Sequence, residues 1–89
     1  MTALMYAIYY GHDDIVEILS HYESNIQDNE GRTALMIAAG RNRVESCKFL
    51  LNEFDFVCNK GLTALDYAIQ YESTDVIRLL LPLSKQEKF

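Results

Sequence analysis

The chain has no tryptophan, one proline, two cysteines and four glycines among 89 residues. Two cysteines, Cys47 and Cys58, are too few for a disulfide framework, so a reducing, cytoplasmic setting is the expectation. Apolar runs such as Leu79–Leu83 fall far short of the ~20 residues a membrane helix needs, which excludes a spanning segment. Met1–Tyr10 carries no basic residue, so no signal peptide is expected. Lys and Arg are missing from residues 1–30, which hold six acids (Asp13, Asp14, Glu17, Glu23, Asp28, Glu30). Residues 31–60 hold five bases and three acids. Thirteen acids against eight bases give a net charge of −5, which argues against nucleic acid as a partner, because phosphate binding needs a concentrated basic face. A hydrophobic content of 49% is ample for one small folded domain and excludes a disordered acidic chain.

What the sequence does contain is a repeat. Thr2-Ala-Leu-Met-Tyr-Ala-Ile8 aligns with Thr33-Ala-Leu-Met-Ile-Ala-Ala39 and Thr63-Ala-Leu-Asp-Tyr-Ala-Ile69, at offsets of 31 and 30 residues. In the same register stand Ile15-Val-Glu-Ile-Leu19, Ser46-Cys-Lys-Phe-Leu50 and Val76-Ile-Arg-Leu-Leu80. Each copy reads as two short helices. Thr2, Thr33 and Thr63 are N-cap residues for the first, and Asp66 completes an approximate capping box with Thr63. Leu4, Ala7 and Ile8, and likewise Leu65, Ala68 and Ile69, form its i, i+3, i+4 core face. The small Ala7, Ala38 and Ala68 let neighbouring helices approach. Tyr6 and Tyr67 are also placed toward the core.

Gly11 ends the first helix in copy one, and Asn42 and Glu72 stand in its place in the other copies. At Glu72 either strain of roughly 1–3 kcal/mol or a shifted turn is expected. The second helix is expected to start near Asp14, Glu45 and Asp75 and to bury Ile15, Ile18 and Leu19. Its equivalents are Ser46, Phe49 and Leu50, then Val76, Leu79 and Leu80. Turns follow at Asp28-Asn-Glu-Gly31 and Cys58-Asn-Lys-Gly61. Pro82 is expected to end the last helix, with Ser84–Phe89 as a polar tail. The result is one all-α domain, a helical repeat solenoid with copies over 1–30, 31–60 and 61–83.

No constellation of catalytic type is present. His12 and His21 have no neighbouring cysteine and do not make a metal site. Asp13-Asp14 reads as helix-start charge, and Cys47 as a small buried hydrophobe. Cys58, in a turn, has no base placed beside it. The chain is therefore expected to be no enzyme and to need no cofactor or metal.

These residues resemble the ankyrin repeat: the Thr-Ala-Leu starts, Gly11-His12 between helices, the apolar ends of the second helices, and Asp28-x-x-Gly31 before Arg32-Thr33. The resemblance covers residues 2–81. Pro of the family's Thr-Pro-Leu-His is Ala in every copy, its His is Met5, Met36 or Asp66, and the period is two to three residues short. Cys58 replaces the turn Asp, which removes an acceptor. The resemblance implies a non-catalytic protein-interaction scaffold whose concave face meets a protein partner. Carried over position by position, that face comprises Tyr9 and Tyr10; Asn29, Glu30, Arg32, Gly40 and Arg41; and Asn59, Lys60, Leu62, Gln70 and Tyr71. Copy one starts at its Thr and the last helix is apolar on more than one side. A homo-oligomer built through apolar end faces, or a piece of a longer array, is the alternative.

Overall fold

Short helices of seven residues or so are marginal alone, so each must be capped well and packed against a neighbour. A computed structural model, which describes residues 2–84, shows the packing throughout and threonine caps on the first helix of each copy. Helices α1 (Ala3–Tyr9), α3 (Ala34–Gly40) and α5 (Ala64–Gln70) form one row. Helices α2 (Asp13–Glu23), α4 (Val44–Lys48) and α6 (Thr74–Ser84) form a second row behind it. The hydroxyls of Thr2, Thr33 and Thr63 accept from the backbone N–H of Met5, Met36 and Asp66, as expected. At Thr63 the Asp66 carboxylate returns the bond to the Thr63 N–H, closing the capping box. Thr33 has the same box with the Met36 sulfur as the weak acceptor.

Burial along the three copies follows position in the stack. Leu4, Ala7, Ile8, Leu35, Ala38, Ala39 and Ala68 are buried, but Ile69 is 54% exposed. Tyr6 is 53% exposed, whereas its equivalent Ile37 is 7% exposed and Tyr67 is half-buried. Ala3, Tyr6 and Ile15 thus lie on the side that a preceding helix pair covers in copies two and three. Leu65, Ile69 and Leu81 lie on the side that a following pair covers in copies one and two. This corrects two expectations. Tyr6 is not a core residue, and in the second helices Val16 and Ser20 are buried while Ile15, Ile18 and the equivalent Phe49 face outward. The i, i+3, i+4 pattern finds an apolar stripe; which part of it is covered depends on the neighbouring copy.

The second helices differ from expectation in their bounds. Each starts one residue early, at Asp13, Val44 and Thr74. Pro82 lies inside α6 rather than ending it, and the Ser84 hydroxyl bonds the Leu81 carbonyl at 2.8 Å in the final turn. The rest of the polar tail falls outside the described residues. Helix α4 is only five residues long and is followed, after Phe49 and Leu50, by a 3₁₀ turn at Leu51–Glu53.

That 3₁₀ turn explains the uneven period. In copy one, the Glu23 carboxylate accepts from the Leu4 N–H at 2.8 Å, 19 residues back. In copy two, Glu53 accepts from the equivalent Leu35 N–H at 3.0 Å, 18 residues back. The missing residue lies between Leu50 and Glu53. A 3₁₀ turn rises more and rotates further per residue than an α-turn, so it returns a carboxylate to the same amide with one residue fewer. Glu53 is 1% exposed and also accepts from the Asn25 N–H at 2.6 Å and the Ser24 hydroxyl at 3.3 Å. It therefore ties the start of α3 to the end of α2 in the preceding copy.

The backbone between paired helices is left-handed in all three copies: Gly11 at φ 79°, Asn42 at 57° and Glu72 at 57°. Only glycine adopts this conformation without a Cβ penalty, so the strain expected at Glu72 is present. In the first turn the Asp28 carboxylate accepts from the backbone N–H groups of Glu30 and Arg32. In the second, the Cys58 sulfur takes the Lys60 N–H at 3.4 Å, so the turn keeps a weak acceptor where none was expected. The two turns pair through Asn59 N–H donating to the Glu30 carbonyl at 2.9 Å. A Cβ on Gly31 would sit 2.7 Å from the Asn59 nitrogen, which requires glycine there.

Removing the Glu53 carboxylate strands three donors in a closed site. Glu53→Ala is expected to lower unfolding stability by about 2–5 kcal/mol, measured by urea denaturation, with Glu53→Gln losing less.

Candidate functional site

The C-terminal ends of α1, α3 and α5 and the turn before α3 surround a groove of about 600 Å³. Its sides come from different copies. Tyr9 belongs to copy one, Arg32, Gly40 and Arg41 to copy two, and Tyr67 and Tyr71 to copy three. Met36 and Ile37 form an apolar floor, and Asn42, Glu72 and Ser73 line the side nearest the α5–α6 turn.

Local sequence explains why these side chains converge. Tyr67 and Tyr71 are four residues apart on and just after α5, so they share one face, and their rings stack at 6.5 Å with an interplanar angle of 1°. Gly40 ends α3 opposite them: a Cβ there would lie 3.3 Å from the Tyr71 ring. The missing side chain lets the Tyr71 ring pack against the end of α3. Arg41 follows α3, where a cation suits the helix dipole, and its guanidinium lies 4.0 Å from the centroid of the Tyr9 ring. Tyr10 packs edge-on to Tyr9 at 5.3 Å from outside the groove.

Arg32 is differently placed. Its Nε donates to Asp28 at 2.9 Å and lies 3.7 Å from Glu30. Burial acts to raise the Asp28 pKa, but the bonds from Arg32 and Glu30 and the Arg32 charge outweigh it and hold the carboxyl below its ordinary value.

A second, smaller cavity of about 360 Å³ lies at the turn tips, between Asn29, Glu30, Cys58, Asn59, Lys60 and Tyr67. Cys58 is only 6% exposed, and the Tyr67 hydroxyl donates to its sulfur at 3.5 Å. That bond holds the Cys58 thiol below its usual pKa against the opposing effect of burial. Burial, helped by the same bond, pushes the Tyr67 hydroxyl up to about 12. Burial alone pushes the Cys47 thiol up to about 12. No base faces the Cys58 sulfur among these contacts.

Of the residues singled out from sequence, Tyr9, Arg32, Arg41 and Tyr71 line the groove together with Gly40. Asn29, Glu30, Asn59 and Lys60 line the tip cavity, while Tyr10, Leu62 and Gln70 line neither. Leu62 is half-buried against the core, and its carbonyl accepts from the Cys58 N–H. Tyr67, which the sequence places toward the core, borders both cavities. Its four-residue spacing from Tyr71 was the available signal. Among the described residues, no three His, Cys, Asp or Glu side chains group as metal ligands, and no helix is long and apolar enough to cross a membrane.

Comparison with known proteins agrees with this architecture. The family model for ankyrin repeats (3 copies) matches residues 4–88. The human photoreceptor ankyrin repeat protein is 43% identical over 56 residues, covering 60% of this chain and 12% of that protein. One chain in the solved complex of the predatory endopeptidase Bd0816 from Bdellovibrio bacteriovorus with immunity protein Bd3460 has a TM-score of 0.80 at 31% identity. That match covers 92% of this chain and 46% of the other. The chain thus spans only a minor part of each protein it resembles.

The Asp28 network carries a pH signature. A carboxyl whose folded pKa lies below its unfolded value stabilises the fold above the unfolded value, near 3.8, and loses that contribution as pH falls through the folded one. Asp28→Asn is therefore expected to be less stable than the parent at pH 7. Thermal melts should show the gap narrowing below about pH 4.

Proposed function

The chain belongs to the ankyrin-repeat family, and from that premise we propose that it is a non-catalytic scaffold whose concave groove binds a stretch of a protein partner. Ankyrin repeats are generally protein-interaction modules and typically not enzymes. The observation that carries the finer reading is the groove itself. It is open, it is assembled from all three copies, and it exposes Tyr9, Arg41 and Tyr71. Tyr and Arg are the side chains that most often anchor interfaces. The stacked repeats hold them on rigid helix ends, so little ordering entropy is lost on binding. Asn29, Glu30, Asn59 and Lys60 at the turn tips extend the same face, with Tyr10, Leu62 and Gln70 at its margins. The reading requires no cofactor, metal or nucleic acid. It places the module in the cytoplasm, in keeping with two free cysteines.

Site-resolved photo-crosslinking tests this. A photoreactive residue replacing Tyr71 is expected to form an adduct with another polypeptide in cell extract, and one replacing Lys48 on the outer row to form none. Adducts from the outer row alone would overturn the assignment.

The exposed end faces support a second reading, association of this chain with itself. Tyr6 and Ile15 at one end, and Ile69 and Leu81 at the other, lie on the surfaces that adjacent copies cover elsewhere in the stack. Asp66 counts against it: it is exposed on the second face, where Met5 and Met36 are buried. Light scattering behind size exclusion separates the two. A constant monomer mass is expected across concentration, and a mass that rises with concentration would favour stacking.

A further inference from the structure

The groove contains one cation that the fold leaves unused. Arg32 is engaged by Asp28 and Glu30, but Arg41 is exposed and takes part in none of the ion pairs among the described residues. Its guanidinium is nevertheless held in place, 4.0 Å from the Tyr9 ring centroid. A stacked guanidinium keeps its planar N–H edge free, and that edge matches the two oxygens of a carboxylate. Beside it, the Tyr71 ring packs against Gly40 and stays largely exposed toward the groove, which Ile37 also lines. Glu72 lines the side next to Tyr71, so negative charge is unfavourable there.

Resting on the concave-face reading, we infer that Arg41, positioned by Tyr9, receives a single carboxylate of the partner. The partner segment is extended, with one Asp or Glu followed closely by an apolar side chain seated on the exposed Tyr71 ring. The arrangement selects a lone acid beside an apolar residue. A run of acids would place charge against Glu72, and the chain's net charge of −5 disfavours it further. Arg41 makes the contact, whereas Tyr9 acts through Arg41 as a positioning residue.

The test is selection of random seven-residue peptides, displayed between glycine flanks, on the whole 89-residue chain. Binding of the enriched peptides is then read by fluorescence anisotropy. The expected outcome is enrichment of one Asp or Glu beside Leu, Ile or Phe. Arg41→Ala should weaken those peptides at least tenfold, as should Asp→Asn or Glu→Gln in the peptide. Arg41→Lys should recover only part of the loss, because an ammonium lacks the fork, and Tyr9→Leu should lose less than Arg41→Ala. Circular dichroism checks that these exposed-site variants fold. Peptides insensitive to Arg41→Ala but weakened by Tyr71→Ala would overturn the carboxylate assignment and leave the groove reading standing. Peptides insensitive to both, or no enrichment, would overturn both.

Discussion

The stacking of one helix pair on the next is the constraint from which the rest follows. A pair of helices seven to eleven residues long cannot close a core by itself, so its apolar faces are completed by the adjacent pair. The exposure of equivalent side chains shows this directly. Ile8 and Ala39 are sealed while Ile69 is open, and Tyr6 is open where Ile37 is sealed. Ile8 and Ile69 are the same residue type in the same local conformation, and they differ in having a following helix pair. Small side chains at Ala7, Ala38 and Ala68 bring the rows close enough for this packing.

Polar groups set the spacing of that stack. Glu23 and Glu53 each return to the second amide of the first helix in their own copy, and Glu53 also holds the preceding connection through Asn25 and Ser24. A buried carboxylate is tolerated because several N–H and O–H donors replace its water. At the turns, Asp28 and Cys58 do related work with unequal acceptors, and Asn59 bridges the tips. These contacts orient the helix ends, and the helix ends carry the groove.

The candidate site is thus a by-product of the repeat with local variation laid on it. Equivalent positions hold Tyr9, Gly40 and Gln70, and then Tyr10, Arg41 and Tyr71. No copy contains the groove. It arises because a large ring in copy one, a missing side chain in copy two and a second ring in copy three are brought side by side.

The chain's periodicity was enough to reveal three copies, all-α architecture and the threonine caps, because these depend on contacts within a few residues; whether Glu72 takes the left-handed conformation or the turn shifts was decided only in the structure. Tyr9, Arg41 and Tyr71 were identified by position in the repeat, but their convergence was not readable, since it depends on residues about 30 positions apart. The outward-facing Ile15 and Ile18, the exposed Tyr6 and the two-sided role of Tyr67 were missed for the same reason. A hydrophobic period marks which side chains can be buried. Whether each one is buried depends on a neighbouring surface, and that is a property of the assembled stack.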